Sequence, residues 1–445
     1  MKIRTWKVGI AALALGASPV LAETSGWSYD NNVNGVAFAS DCCEPACGAD
    51  ACCDGVGCGD GCGGGICSGG VLGATGLESL SLAGLIGMEG SGLDVGGWTS
   101  AGYQNHNERL SFAPGDRLAF NDFPNHLNLQ QQWFYLGRVA DGSNGLDLGY
   151  RFDMMYGADG HTAQSYGNTT SVPNVPANFL PGQGTYDASL DHGPYEWAFP
   201  QAYAEVASGD LSVKVGHFFT PVGYEVIPDT GNFFRTHTLT HYNTEPFTHT
   251  GAMATYTAYE NLTLYGGWTL GWDTGFDQFN GGNNGIGGFA YNVSDDIVFT
   301  YMNTIGNLGW RSGGSDDSYT HHLVTTVALT DSLSWIIQGD YLNVNNTTSA
   351  TGLTGLNNEE LGCTNYLIYK WSDVVSFGGR AEWWKSNAVT GNADSFYDVT
   401  GGVNVKLLSN LTWRAEQRYD WLPAEDNFRT DYNQSMISTD MILTY

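Results

Sequence analysis

Long hydrophobic runs are absent from the sequence once its N-terminal end is set aside. No stretch after residue 22 offers the roughly 18 consecutive apolar residues that a transmembrane helix requires. Residues 1–22 carry three basic residues, an apolar core and the small-residue ending Val20-Leu21-Ala22, so we predict a cleaved export signal. The alternative, a retained membrane anchor, is disfavoured because the apolar run is too short to span a bilayer.

Charged residues are scarce, and basic residues are the scarcest. Only 14% of the residues are charged, against about 25% in ordinary soluble domains. The 17 Lys and Arg stand against 46 Asp and Glu, and the net charge of −29 disfavours binding to nucleic acid. Glycine (61 residues) and aromatic residues (13%) are abundant instead, which is typical of a barrel whose outer wall faces lipid.

Motifs of the common catalytic and cofactor sites are also missing. The sequence contains no GxSxG, no phosphate-binding loop, no HExxH and no dinucleotide fingerprint between a strand and a helix. The histidine pairs His237…His241 and His321-His322 have no carboxylate at zincin spacing, which favours loop or girdle residues over metal ligands. We therefore expect no enzyme, no cofactor and no metal, and keep catalysis at a barrel rim as a minor alternative.

Three regions differ in composition: the signal (1–22), a Gly/Cys-rich extension (23–96) and a long region of repeated strand pattern (97–445). The extension is too polar and glycine-rich to form its own core, so we expect a periplasmic or plug-like segment. A short helix near 76–88 and an irregular linker are equally compatible with its last part.

The extension contains eight of the nine cysteines. An even number of cysteines in an exported segment predicts disulfides, within the chain or between chains. A metal cluster is the weaker alternative, because the cysteines form no CxxC pair and no histidine accompanies them. The disulfide candidates are Cys42, Cys43, Cys47, Cys52, Cys53, Cys58, Cys62 and Cys67.

Residues 148–156 show the repeated strand pattern most clearly. Leu148, Tyr150 and Phe152 alternate with polar positions that include Arg151 and Asp153. Because strand side chains point to opposite faces in turn, one face of this segment is apolar and the other charged. A soluble sandwich would alternate in the same way. The runs are, however, about 10 residues long, the length of a bilayer-spanning strand, whereas soluble strands average about 5–6.

Sixteen such runs are predicted, an even number as bacterial single-chain barrels require. Short Asn/Asp/Ser/Gly turns and long loops alternate between them, which is the asymmetry expected of periplasmic turns and external loops. The fold class is therefore an all-β transmembrane antiparallel barrel. The runs lie near 97–104, 128–138, 146–156, 197–207, 211–218, 250–259, 261–271, 285–294, 297–304, 319–330, 333–344, 363–371, 374–385, 396–407, 411–421 and 434–445.

Three segments carry a resemblance to a known family: LSVKVGHFFTPVGYEVIPDTGNFF (211–234), EPFTHTGAMATY (245–256) and NLTLYGGWTLGWDTGFD (261–277). They resemble the β-barrel porin-2 family of OmpL-like outer-membrane porins, which is abundant in planctomycetes. The resemblance covers about residues 96–445. It implies an outer-membrane barrel with passive diffusion of small hydrophilic solutes, and it supplies no catalytic residues.

The long loop 219–249 is the main candidate for a constriction. It is the third external loop, and in porins a long third loop commonly folds into the lumen, where its charges filter ions by sign. Its three acids against one base suggest a mild cation preference. The alternative is a solvated external loop. The candidate residues are Glu225, Asp229, Arg235 and Glu245.

The charged faces of the strands supply candidates for the pore lining, where they would hold a transverse field across a water column. These candidates are Arg151, Asp153, Lys214, Arg380, Glu382, Lys406, Arg414, Glu416 and Arg418. The expected partners are outer-membrane lipids, small hydrophilic solutes and the barrel assembly machinery, which reads the aromatic C-terminal strand. A homotrimer is left open. The competing hypothesis is a structural or adhesive surface barrel, plugged and crosslinked through its cysteines.

Overall fold

The computed structural model describes most of the region that the strand pattern occupies. The predicted export signal and the eight clustered cysteines lie outside the described residues. These residues are 70–72, 77, 80–105, 120, 123–167, 195–312, 316–348, 354–387, 394–422 and 433–445.

Sixteen antiparallel strands close into a single barrel. Each strand pairs with its neighbours in the sequence, and the first pairs with the last, with Trp98 opposite Thr444. The strands are β1 (Asp94–Gln104), β2 (Leu127–Arg138), β3 (Asp147–Gly157), β4 (Glu196–Ser208), β5 (Leu211–Phe219), β6 (Thr248–Tyr259), β7 (Leu262–Trp272), β8 (Asn283–Ser294), β9 (Ile297–Asn307), β10 (Ser318–Thr330), β11 (Leu333–Thr348), β12 (Thr354–Lys370), β13 (Val375–Ser386), β14 (Asp394–Leu408), β15 (Leu411–Trp421) and β16 (Asn433–Thr444).

The predicted number and order of strands are confirmed, and the largest error concerns one long hairpin. The sequence pattern begins the twelfth strand at residue 363, whereas β12 begins at Thr354. The residues of β12 before 363 also pair with β11, and Asn358 lies opposite Val344. The added residues are mostly polar. Backbone pairing continues past the apolar alternation, because alternation is required only where one face meets lipid.

The two faces of the strands separate as the alternation predicts. Leu148 and Phe152 on β3 are 62% and 42% exposed on the outside of the barrel, while Arg151 and Asp153 are buried inside. Large apolar side chains on an outer surface are the property that a lipid-facing wall requires.

Among the described residues, three short α-helices lie outside the strands: α1 (Leu82–Leu85), α2 (Gly160–Ala163) and α3 (Leu239–Asn243). The first lies within the range where a short helix and a linker were both expected, and it comprises only four residues, with Leu85 exposed. Among the described residues, no helix combines the length and apolarity needed to cross a bilayer.

Candidate constriction site

The connection between β5 and β6, residues 220–247, lies inside the barrel and is called the inward loop below. It leaves the wall at β5, and its backbone reaches side chains of β13 and β15. The N–H of Arg235 donates to Glu416 Oε2 at 2.7 Å, and the N–H of Leu239 donates to Glu382 Oε2 at 2.8 Å. Since β13 and β15 are on the far side of a sixteen-strand barrel from β5, the inward loop crosses the lumen.

Two wall carboxylates hold the inward loop by its backbone. Glu416 also accepts the N–H of Thr236, at 2.9 Å, and Glu382 also accepts the N–H of Thr240, at 2.8 Å. Leu239 and Thr240 begin α3, where backbone N–H groups have no partner within the helix. The Thr238 hydroxyl caps the same turn by accepting the N–H of His241 at 3.0 Å. Each acid thus satisfies two buried donors that the loop itself leaves unpaired.

Three wall arginines bind the carbonyl and carboxylate groups of the inward loop. Arg414 donates to the carbonyl of Asn232 at 2.7 Å, and Arg418 donates to the carbonyl of His237. Arg380 pairs with Glu225 of the loop at 3.0 Å. Charge-assisted hydrogen bonds of this kind are short and directional, and inside a protein they reinforce one another.

The same arginines are balanced by carboxylates of the wall. Arg380 and Arg418 both contact Asp398 Oδ2 at 2.9 Å, and Arg414 Nε lies 2.9 Å from Asp440 Oδ1. The arrangement alternates positive and negative groups around β13 to β16. It holds the inward loop in one position, because moving the loop would leave buried charges without partners.

All four predicted constriction residues lie in the inward loop and are buried. Glu225 pairs with Arg380, and the Asp229 carboxylate lies 3.4 Å from Arg414. The Arg235 guanidinium donates to Gln104, and Glu245 accepts from Gln338. Since Glu225 and Asp229 are ion-paired, the three-to-one ratio of acids to bases overstates the charge that the loop presents to a passing ion.

The predicted pore-lining residues all belong to the strands, and eight of the nine are buried while Lys406 is half-buried. Arg380, Glu382, Arg414, Glu416 and Arg418 contact the inward loop, as described above. On β3, Arg151 pairs with Asp94 at 3.1 Å and lies 4.0 Å over the Tyr135 ring. Lys214 on β5 lies 4.9 Å over the Tyr203 ring. The role of these residues beside an open water column stays a prediction.

Two glutamines that the sequence reasoning did not select also hold the inward loop. Gln131 on β2 donates to the carbonyl of Ile227 at 2.9 Å and accepts the N–H of Asp229 at 3.0 Å. Gln338 on β11 accepts the N–H of Tyr224 at 2.9 Å. Neutral amides carry no charge that marks them in the sequence, and Gln131 shares its inward strand face with the apolar Trp133 and Tyr135.

The end of the inward loop is fixed by an aspartate that follows β7. Asp273 Oδ1 accepts the N–H groups of Phe247 and Thr248 at 2.6 and 2.9 Å. Burial raises the pKa of Asp273 to about 6, although these two donors act in the opposite direction. Through these two hydrogen bonds, Asp273 links the end of the inward loop to the connection between β7 and β8.

Close packing of a loop aromatic against the wall depends on a glycine. The ring of Phe233 covers Gly378 on β13 so closely that an added Cβ would lie 2.3 Å from its Cε1. The next residue, Gly379, faces the other way, and an added Cβ there would meet nothing within 4 Å. Adjacent glycines on one strand thus have opposite constraints.

Gly378→Val should destabilise the protein, whereas Gly379→Val should not. The first variant forces Phe233 and the inward loop away from the wall, and such overpacking costs about 1–3 kcal/mol. The second variant adds apolar surface on the lipid side. Urea unfolding in lipid vesicles, followed by tryptophan fluorescence, measures both. Equal loss of stability in the two variants would contradict the packing of Phe233 on Gly378.

Comparisons with known proteins identify the architecture. The family model described as "Putative beta-barrel porin-2, OmpL-like" matches residues 92–445. Among solved structures, the outer membrane channel DcaP of Acinetobacter baumannii is similar with a TM-score of 0.53 and 10% identity, over 80% of this chain and 99% of that one. An anion-selective porin from Comamonas acidovorans is similar with a TM-score of 0.50 and 11% identity, over 79% and 99%. No curated protein matches by sequence. At these identities the structural likeness concerns the fold alone.

Proposed function

The chain belongs to the family described as putative β-barrel porin-2, OmpL-like, and we propose that this outer-membrane barrel admits small hydrophilic solutes or ions by passive diffusion. The observation that carries the proposal is the inward loop, which crosses the lumen and is anchored on the far wall by Glu382 and Glu416. A loop fixed in this way narrows a wide barrel to a defined constriction, where size and charge select what passes.

Small polar solutes fit the chemistry of this interior. Charged and amide groups of the inward loop and the wall surround the region where the loop crosses, as described for Arg380, Glu382 and Gln131. Fixed dipoles and charges can replace part of the hydration of a polar solute, while an apolar solute gains nothing there. Weak, distributed contacts of this type also allow the solute to leave.

A mild cation preference is the finer part of the proposal. Among the described residues that are buried, Asp and Glu outnumber Arg and Lys. An excess of carboxylates around a constriction raises the local concentration of cations. The preference is expected to be small, because the ion pairs Glu225–Arg380 and Asp229–Arg414 already compensate two of the loop acids.

Planar-bilayer recordings and liposome swelling test the proposal together. We expect single channels, swelling rates that fall as the sugar becomes larger, and a reversal potential in a KCl gradient with the sign of weak K⁺ preference. A reversal potential with the sign of Cl⁻ preference would remove the cation preference and leave the pore. Intact barrels that show neither conductance nor swelling would contradict the pore itself.

A structural surface barrel is the second candidate, and one observation favours it. Eight of the nine predicted pore-lining residues are buried, so the region around the inward loop is closely packed. The swelling experiment separates the two candidates, because a plugged barrel passes no sugar of any size. The family and the fold point to a channel rather than to an enzyme. Screening the detergent-purified protein for hydrolase activity would test the remaining possibility of catalysis at a rim.

Assembly is a further part of the proposal. The apolar outer wall, with residues such as Leu148 and Val215 exposed, can be covered by outer-membrane lipids or by other copies in a homotrimer. The last strand, β16, ends at Thr444 and is followed by Tyr445, and this amphipathic aromatic end is suited to recognition by barrel assembly machinery. Light scattering of the protein in detergent would distinguish one copy from three.

A further inference from the structure

A second group of titratable side chains lies where the inward loop meets β10 and β11. His322 on β10 and Asp340 on β11 are directly opposite in the pairing of the two strands. Glu245, near the end of the inward loop, joins them. One potential ligand atom of each of these three residues lies within 4.8 Å of the other two, and all three side chains are buried.

The two carboxylates of this group are close together, and among the described residues neither is paired with an arginine or a lysine. Gln338 Nε2 donates to Asp340 Oδ2 at 2.9 Å and also to Glu245 Oε1. In the part of the chain that the structure describes, the ion-pair partners of the two acids are histidines: His241 Nδ1 is 3.3 Å from Glu245 and His322 Nδ1 is 2.7 Å from Asp340. Two adjacent buried carboxylates repel each other and lose hydration, so a cation would stabilise them.

The histidines each have one ring nitrogen without a partner. His322 is 1% exposed, and its Nε2 has no hydrogen-bond partner; the same is true of Nε2 in buried His241. An ionised carboxylate only accepts hydrogen bonds, so the Nδ1 atoms facing Asp340 and Glu245 donate. Both carboxylates lie on the Nδ1 side of these rings, so an ion that imidazole and carboxylate share would bind at Nδ1. Binding there displaces the Nδ1 proton, and each neutral ring would then carry its proton on the unpartnered Nε2.

A neighbouring group of similar composition is less suited to a cation. Glu225, His237 and His241 also place one potential ligand atom each within 4.8 Å of one another. The Arg380 guanidinium, however, lies 3.0 Å from Glu225 and already compensates its charge. A metal ion there would be repelled by the arginine. Among the described residues, neither Glu245 nor Asp340 forms an ion pair with an arginine or a lysine, although Arg380 is near enough to act on His241.

We propose that Glu245, His322 and Asp340, with His241 as a fourth donor, bind one divalent transition-metal ion that fastens the end of the inward loop to β10 and β11. Zn²⁺ is the best match, because it takes imidazole nitrogen and carboxylate oxygen in a four-coordinate site. Ligands of Zn²⁺ lie about 2.0–2.2 Å from the metal, so the side chains would close inward by about 1 Å. This proposal differs from the sequence expectation of no metal. It does not depend on whether the barrel transports solutes.

Zn²⁺ binding to the full chain in detergent tests this site. The cysteine thiols are blocked with N-ethylmaleimide, bound metal is removed with EDTA, and binding is measured by titration calorimetry. We expect one site per chain, and at least about a tenfold loss of affinity in Asp340→Asn and in His322→Asn, the range seen when metal-site partners are removed. The matched control is His321→Asn: His321 is the neighbouring residue on the outer face, where it contacts the Tyr301 hydroxyl at 2.7 Å. This control should keep the wild-type affinity.

Two results would overturn the proposal. The first is wild-type protein that binds no more Zn²⁺ than the His322→Asn variant; the second is equal affinity in all variants, which would assign the binding to surface histidines. Should a variant fail to fold, Co²⁺ added to the wild-type protein gives an independent readout. Intense visible d–d bands of a four-coordinate complex support the site, and a spectrum of hydrated Co²⁺ contradicts it.

Discussion

Deleting residues 226–244 should raise the single-channel conductance several-fold. The deleted residues are the part of the inward loop that crosses the lumen and contacts β13 to β15, so their loss widens the path for ions. The remaining residues of the loop can still connect β5 to β6, whose ends pair at Phe219 and Thr248. Planar-bilayer recordings at fixed salt measure the change.

The deletion should leave the barrel folded, which keeps the conductance interpretable. Glu382 and Glu416 lose the backbone donors that they now bind, but in the widened lumen water would hydrate their carboxylates. A matched control is deletion of residues 423–432, which connect β15 to β16 and lie outside the described residues. We expect the conductance of this control to stay near the wild-type value. An unchanged conductance after deletion of 226–244 would end the proposal that this loop forms the constriction.

The barrel itself was predictable from the sequence because lipid imposes a simple rule. Each spanning segment must place apolar side chains outward at every second position, as Leu148, Tyr150 and Phe152 do on β3. The rule needs no knowledge of partners that are distant in the sequence. It fails where a strand leaves the membrane, which explains why the alternation does not mark the first residues of β12.

The partners inside the barrel could not be predicted in the same way. The sequence predicts that Glu225 filters ions, and it does not reveal that this carboxylate pairs with Arg380 from a distant strand. The acids Glu382 and Glu416 were predicted to line water, and they bind backbone N–H groups of the inward loop. A sequence shows which face a residue occupies. The residue that it meets across the lumen depends on how the loop folds.

The residues of the proposed metal site could not be brought together from the sequence either. Its residues come from the end of the inward loop, from β10 and from β11, so no spacing motif connects them. The pairing of His322 with Asp340 follows from the register of two strands, and Glu245 reaches them only because the loop turns inward. Motif reasoning applies to ligands at a fixed spacing within one short segment. It does not detect a site that the β10–β11 hairpin forms with a loop distant in the sequence.

Arg414→Met should lower the free energy of unfolding by about 3–5 kcal/mol, the cost of breaking a buried ion pair by removing one partner. Arg414 is 1% exposed, donates to the carbonyls of Asp229 and Asn232, and pairs with Asp440. The variant leaves the Asp440 carboxylate buried without its cation. Urea unfolding in lipid vesicles measures the loss, and current noise in bilayers should rise as the inward loop becomes less firmly held.

The control and a second variant separate the loss of a charge partner from the loss of a large side chain. Arg138 on β2 pairs with Asp147 at 3.0 Å, but 42% of its side chain is exposed. Exposed pairs contribute little, so Arg138→Met should leave the stability nearly unchanged. In Arg414→Met combined with Asp440→Asn, the uncompensated charge is gone, and stability should recover in part. If Arg414→Met and Arg138→Met were equally stable, or if the double variant recovered nothing, the buried ion network would not be what holds the loop across the lumen.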